Sequence, residues 1–146
     1  MRIRGVPDAG EAGRPQTAGM TSPALHYTVA LDGAATGGAY AVLDIRGDRH
    51  AGTPVHLHRN EDQVVIVLEG AVTVWHDGVT ERLRPGDTLQ LPRDRPHRVQ
   101  VEDGPARLLC LCLPAGYEAV IDAATSSDHD DRAALLAAVG VATGRP

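Results

Sequence analysis

The stretch TPVHLHRNEDQVVIVLEG, Thr53 to Gly70, sets His56 and His58 one residue apart, ahead of acids, a glutamine and an aliphatic run. Side chains alternate along an extended segment, so both imidazoles project to the same side if this one is a strand. Gln63 opens the next apolar segment after Arg59, Asn60, Glu61 and Asp62. Further along, GDTLQLPRDRPHRV brings His97 after a turn and a proline-rich bend. Two histidines on one strand and a third on a later antiparallel strand converge if the chain closes into a barrel. Neutral imidazoles suit zinc, iron, nickel and copper, with water filling the remaining positions. Any one of the seven histidines taken singly reads as a surface or hydrogen-bonded residue; the combination carries the metal reading.

The elements that must position these residues are short and β-rich. Leu25 to Leu31, Tyr40 to Arg46, QVVIVLEG, AVTVWHDG, TLQLP, HRVQV and ARLLCLCLP are each strand-length, and each ends near glycine, proline or aspartate. His76-Asp77-Gly78-Val79 carries a tight hairpin signal, Glu69-Gly70 reads as a turn, and Pro85-Gly86 suits a type II turn. Seven or more short strands predict an all-β fold, an antiparallel sandwich or small barrel. Residues 1–22 mix glycine, proline and charges without periodicity and read as a loose arm. Residues 23–124 make the barrel with a terminal capping segment, in which Gly116-Tyr117-Glu118 leads into a short helix ending near Ala124. Residues 125–146 read as a polar linker and a short C-terminal helix over Arg132 to Val139, with Asp130 or Asp131 as N-cap and Gly140 as stop. The DHDD run within that linker is metal-like only in composition and reads as solvated.

At 146 residues the chain suits one domain with one core. A formal net charge of −5 argues against non-specific attraction to nucleic acid or anionic membrane. No helix-turn-helix segment and no arginine stripe with interleaved aromatics points to nucleic acid either. With no apolar run of transmembrane length and no secretory leader, the expected compartment is the cytoplasm. Cys110 and Cys112 alternate on a strand, where a disulfide between them is awkward, and read as buried free thiols acting as small apolar side chains.

Taken together, the HxH pair, the Glu61 to Gln63 region, the bounding glycines and the segment ending in His97 resemble the cupin superfamily. The likeness runs from about Gly52 to Val101. In the family's first motif a glycine precedes HxH, three or four residues lead to glutamate, and a glycine closes the hairpin. Gly52, His56, His58, Glu61 to Gln63 and Gly70 stand in those places, and Gly86, Pro92 and His97 keep the order of the second motif. The resemblance implies a double-stranded β-helix, or jelly-roll barrel, with a short C-terminal helical segment. It also implies a divalent transition metal (Zn, Fe, Ni, Mn or Cu) held by His56, His58 and His97. The chain departs from the family where the metal-binding glutamate falls, because residue 63 is glutamine. Gln63 either ligates through its carbonyl oxygen, or hydrogen-bonds a bound water or substrate, or the site takes no metal. An amide in place of the carboxylate makes a metal site about one charge more positive, which favours anionic ligands and enolates.

The implied activity is metal-dependent chemistry on a small enolisable, polyphenolic or polyketide-like molecule. Lewis-acid cyclisation or isomerisation and quercetinase-like oxygenation are both open. The competing class is a non-catalytic small-molecule-binding cupin. Gln63 and Glu61 are the catalytic candidates, Glu61 on condition that its loop bends inward, with His50 and His76 as further sources of a base. Trp75 either lines the pocket or packs between sheets, with packing favoured. Tyr117 resembles the aromatic residue of the terminal helix that closes such barrels and is either a mouth residue or a core anchor. Family resemblance also implies a homodimer, for which the Leu25 to Leu31 strand is a candidate pairing edge.

Overall fold

Alternation of apolar residues decides the architecture. In the strand Asp62–Glu69 every second side chain from Gln63 is buried, through Val65 and Val67, while Val64, Ile66 and Leu68 are only half-buried. Ala106–Leu113 repeats the pattern with Ala106, Leu108, Cys110 and Cys112 inward. A strand with one buried face needs a second sheet to bury it against. A computed structural model, which describes residues 24–124 and 140–143, shows that partner sheet.

The strands are β1 (His26–Leu31), β2 (Ala41–Gly47), β3 (His56–His58), β4 (Asp62–Glu69), β5 (Val72–His76), β6 (Val79–Leu83), β7 (Thr88–Leu91), β8 (His97–Val101), β9 (Ala106–Leu113) and β10 (Val141–Thr143). Helix α1 spans Glu118–Ala124. One sheet has the order β1-β2-β9-β4-β7 and the other β10-β3-β8-β5-β6, with five strands in each. All the named pairings are antiparallel. This is the jelly-roll arrangement that the family resemblance implies. The core between the sheets holds Leu43, Val67, Val72, Val74 and Val101, all at most 1% exposed. Burying each such side chain is worth roughly 1.5–3 kcal/mol. No helix among the described residues is long and apolar enough to cross a membrane.

The turns follow their sequence signals. Asp77 and Gly78 both take positive φ, 48° and 80°, as a tight β-hairpin requires. Arg84 O accepts from Asp87 N at 2.9 Å across Pro85-Gly86, with Gly86 at φ 93°. Two strands lie outside the sequence reading. β6 is an edge strand whose first four residues are exposed, so it shows no alternation. β10 is three residues long and gains its form from pairing with β3, Val141 opposite His58 and Thr143 opposite His56. The expected arm over residues 1–22 and the expected helix over Arg132 to Val139 lie outside the described residues.

Gly70 sits at φ 73°, and a Cβ there would fall 2.2 Å from Pro105 O. Gly78 has φ 80° but open space around the same position. Gly78→Ala is therefore expected to cost only the backbone penalty of about 1–2 kcal/mol. Gly70→Ala should cost clearly more, read as the larger drop in urea midpoint of the two.

Candidate metal centre

The geometry of the site begins with register. β3 meets β8 with His56 directly opposite His97, and directly opposed residues share a face. His58, two residues along β3, returns to that face. The strand is pinned from both sides: Asp94 N donates to His58 O at 2.7 Å, and Arg59 N donates to Gly140 O at 2.8 Å. Thr53 N donates to Val99 O at 2.9 Å, and Val99 N to Thr53 Oγ1 at 3.1 Å, fixing the chain as it enters β3. The three imidazoles converge, with one ligand atom from each lying within 4.8 Å of the others. Ring centroids are 4.4 Å apart for His56 and His97, 5.1 Å for His56 and His58, and 5.6 Å for His58 and His97.

Each ring has its Nδ1 turned to an acceptor. His56 Nδ1 donates to Pro54 O at 2.9 Å, His97 Nδ1 to Arg95 O at 3.2 Å, and His58 Nδ1 to the Glu61 carboxylate. Carbonyl and carboxylate oxygens only accept, so each ring carries a proton on Nδ1 and Nε2 is the atom left to face a cation. That is the tautomer a metal site needs, held by partners on the far side of each ring. Burial, with the His58 ring adding to it, lowers the pKa of His56 to about 4. Burial, with His56 and His58 nearby, lowers that of His97 to about 3. Both are neutral ligands near pH 7. The donor set therefore fits a divalent transition cation, and it does not discriminate among those that imidazole binds.

The histidines open onto a cavity between the sheets. Its walls are largely aliphatic, with Leu43, Val65 and Leu108 among them, and no carboxylate of the described residues lines it. Gln63 reaches in from the opposite sheet, 6% exposed, and its Nε2 donates to Cys112 Sγ at 3.7 Å. That leaves the amide oxygen for whatever occupies the cavity. Tyr117 also lines it and meets the His58 ring edge-on, with centroids 4.8 Å apart. Burial raises the Tyr117 phenol well above its usual range, so it remains an O–H donor. Cys110 and Cys112 are free, buried thiols, as their alternation predicts. The hydrogen bond with Cys112, and then burial, raise the Cys110 pKa well above its ordinary value.

Several candidates fall elsewhere. Glu61 is buried but does not line the cavity; the tight bend after β3 sets it behind His58. Trp75 corrects the pocket expectation: Val72 and Val74 are the buried residues of β5, so Trp75 points away with Thr73 and lines no part of the cavity. Asp62 faces out, as its alternation requires, and pairs with Arg93. His76 is largely covered and donates toward Glu81 at 2.8 Å, whereas His50 is an exposed loop residue with φ 64°. Glu118 is a residue the sequence reading did not single out. Its carboxylate accepts from Gly33 N at 2.9 Å and Gly116 N at 2.6 Å, anchoring the start of α1 and so the adjacent Tyr117. The acid in the first turn of a helix was the available signal.

Residues 48–112 match the family model of the cupin domain. That stretch, a little under half of the chain, is similar to a cupin domain. The chain is 27% identical to the quercetin 2,3-dioxygenase of Bacillus subtilis over 99 residues, which cover 68% of this chain and 29% of that protein. The chain thus spans less than a third of that relative's length. A double-stranded β-helix protein from Klebsiella pneumoniae superposes with a TM-score of 0.61 at 13% identity, covering 91% of this chain and 90% of that one. The polyketide cyclase RemF from Streptomyces resistomycificus superposes with a TM-score of 0.56 at 21% identity, covering 63% and 66%. These two likenesses concern the fold.

The lowered histidine pKa values fix a pH dependence for the metal-free protein. The unfolded chain takes up protons near pH 6.5, before the folded one does, so stability falls as pH drops below that point. The slope is at most about 1.4 kcal/mol per pH unit for each histidine, until about pH 4 for His56 and about 3 for His97. Asp62 and Asp77, held low by Arg93 and Arg95, give up their contribution only below the usual carboxylate range. Melting temperature after chelator treatment should therefore decline between pH 6.5 and 4.5, and His97→Gln should flatten that decline.

Proposed function

We propose that this protein is a metal-dependent enzyme for a small enolisable or polyphenolic substrate, acting by Lewis-acid cyclisation or isomerisation. The observation that carries this reading is the convergence of three imidazoles on a cavity that no carboxylate of the described residues lines. His56, His58 and His97 would hold the cation, which supplies Lewis acidity toward adjacent substrate oxygens. The absence of an anionic side chain from the walls, among the described residues, favours a substrate that brings its own negative charge. Gln63 offers its amide oxygen to a substrate hydroxyl, and Tyr117 offers a phenolic proton to a substrate oxygen. Thr53 Oγ1 accepts from Val99 N, which leaves its own hydroxyl proton free to donate into the same space. The aliphatic walls exclude water and strengthen each of these polar contacts. Proton transfer would fall to substrate groups held by Gln63 and Tyr117, since Glu61 lies behind His58.

A second reading, oxygenation, is favoured by the 27% identity to quercetin 2,3-dioxygenase. The two share substrate chemistry and differ in their need for oxygen. Elemental analysis of freshly purified protein, followed by turnover of β-diketone and flavonol probes with and without air, separates them. Turnover without oxygen consumption is expected for cyclisation or isomerisation. Oxygen uptake matching substrate loss would replace that reading by oxygenation, and saturable binding with no turnover by any metal-loaded form would leave a binding module. His97→Ala is expected to abolish metal retention while the far-ultraviolet β spectrum stays; unchanged metal stoichiometry would remove His97 from the ligand set.

A further inference from the structure

The three histidines differ in what backs them. His56 and His97 donate to the neutral backbone oxygens of Pro54 and Arg95, whereas His58 donates to a carboxylate. Glu61 is itself only 2% exposed. The other strongly buried acids face partners suited to holding a carboxylate: Asp44 faces the Arg107 guanidinium, and Glu118 faces two backbone N–H groups. Glu61 accepts from an imidazole, with the Arg93 guanidinium acting on it only through a weaker coulombic attraction. Taking a carboxylate out of water is costly unless positive charge lies close by. The ring it contacts has its other nitrogen directed at the cation site.

We propose that Glu61 is the charge-compensating and positioning residue of the metal centre, acting through His58 in place of the carboxylate that residue 63 does not provide. This rests on the three-histidine reading above. The carboxylate fixes the His58 tautomer and ring plane, makes its Nε2 a stronger donor, and partly neutralises a cation that the cavity walls leave uncompensated. The negative charge is moved out of the cavity and behind a ligand. The cation's coordination face stays open to an anionic substrate, while the whole centre remains near electrical balance.

The test is zinc affinity measured by competition with a chromophoric chelator, on the full chain. Glu61→Gln keeps an acceptor for His58 Nδ1 and removes only the charge, so zinc affinity should fall about tenfold to a hundredfold. The double variant E61Q/Q63E returns a carboxylate to the centre from the other side and should recover most of that loss. A purely structural role for Glu61 would give no such recovery. Equal zinc affinity in wild type and E61Q would overturn the assignment while leaving the metal centre standing. A wild type that binds no zinc would overturn the centre itself. Should E61Q fail to fold, the wild type decides: in the zinc-loaded protein the Nδ1 proton of His58 should resonate well downfield of those of His56 and His97. Three coincident resonances would overturn the proposal.

Discussion

A single rung joins β3 to β8, and it pairs His56 with His97. Two of the three imidazoles owe their positions to that register, and the third follows from the two-residue period of β3. One rung is too little to hold a strand of three residues. The remaining hold comes from the neighbouring chain: three rungs to β10, the Arg59–Gly140 bond, and the bonds of His58 O and Thr53 to Asp94 and Val99. A one-residue slip of β3 would send both its histidines to the outer face. The centre is thus built by backbone bonds from three separate stretches of chain, and the C-terminal strand is one of them.

Much of this was legible in the residues. The HxH spacing fixed a shared face, Asp77-Gly78 and Pro85-Gly86 named their turns, and the alternation in β4 and β9 put Gln63, Cys110 and Cys112 inside. What escaped has physical causes. β6 is an exposed edge strand with charges along it, so it carries no buried period to read. β10 is only three residues long, too short to show a period, and depends on a long-range partner. Trp75 reads either as a pocket residue or as packing between sheets, but the phase of its strand is set by Val72 and Val74 and turns it to the other face. Glu61 was weighed as a base on condition that its loop turned inward. The loop does turn, yet it ends on His58 Nδ1, and only the bend between β3 and β4 decides that.

Burying three imidazoles together is unfavourable for their charged forms, as the lowered pKa values of His56 and His97 show. The same burial keeps the lone pairs of His56 and His97 available at neutral pH. A site prepared to receive a cation is therefore one that resists protons, and the carbonyls behind His56 and His97 hold the rings in place without adding charge. Tyr117 completes the enclosure. Its ring stands against His58 because Glu118 ties the start of α1 to the turn after β1, so a carboxylate outside the cavity sets the position of a phenol inside it.

Charge elsewhere in the barrel is kept on the far side of the strands. Leu43 and Ile45 line the cavity, so Asp44 between them faces away, where Arg107 meets it at 2.6 Å. Gln63 faces in, so Asp62 faces out to Arg93. Strand alternation thus turns a sequence dense in acids and arginines into an interior almost free of both. Inside a medium of low polarity the few charges that remain act strongly on one another. Among the described residues, a cation placed between His56, His58 and His97 would find one buried carboxylate in contact with its ligands, Glu61.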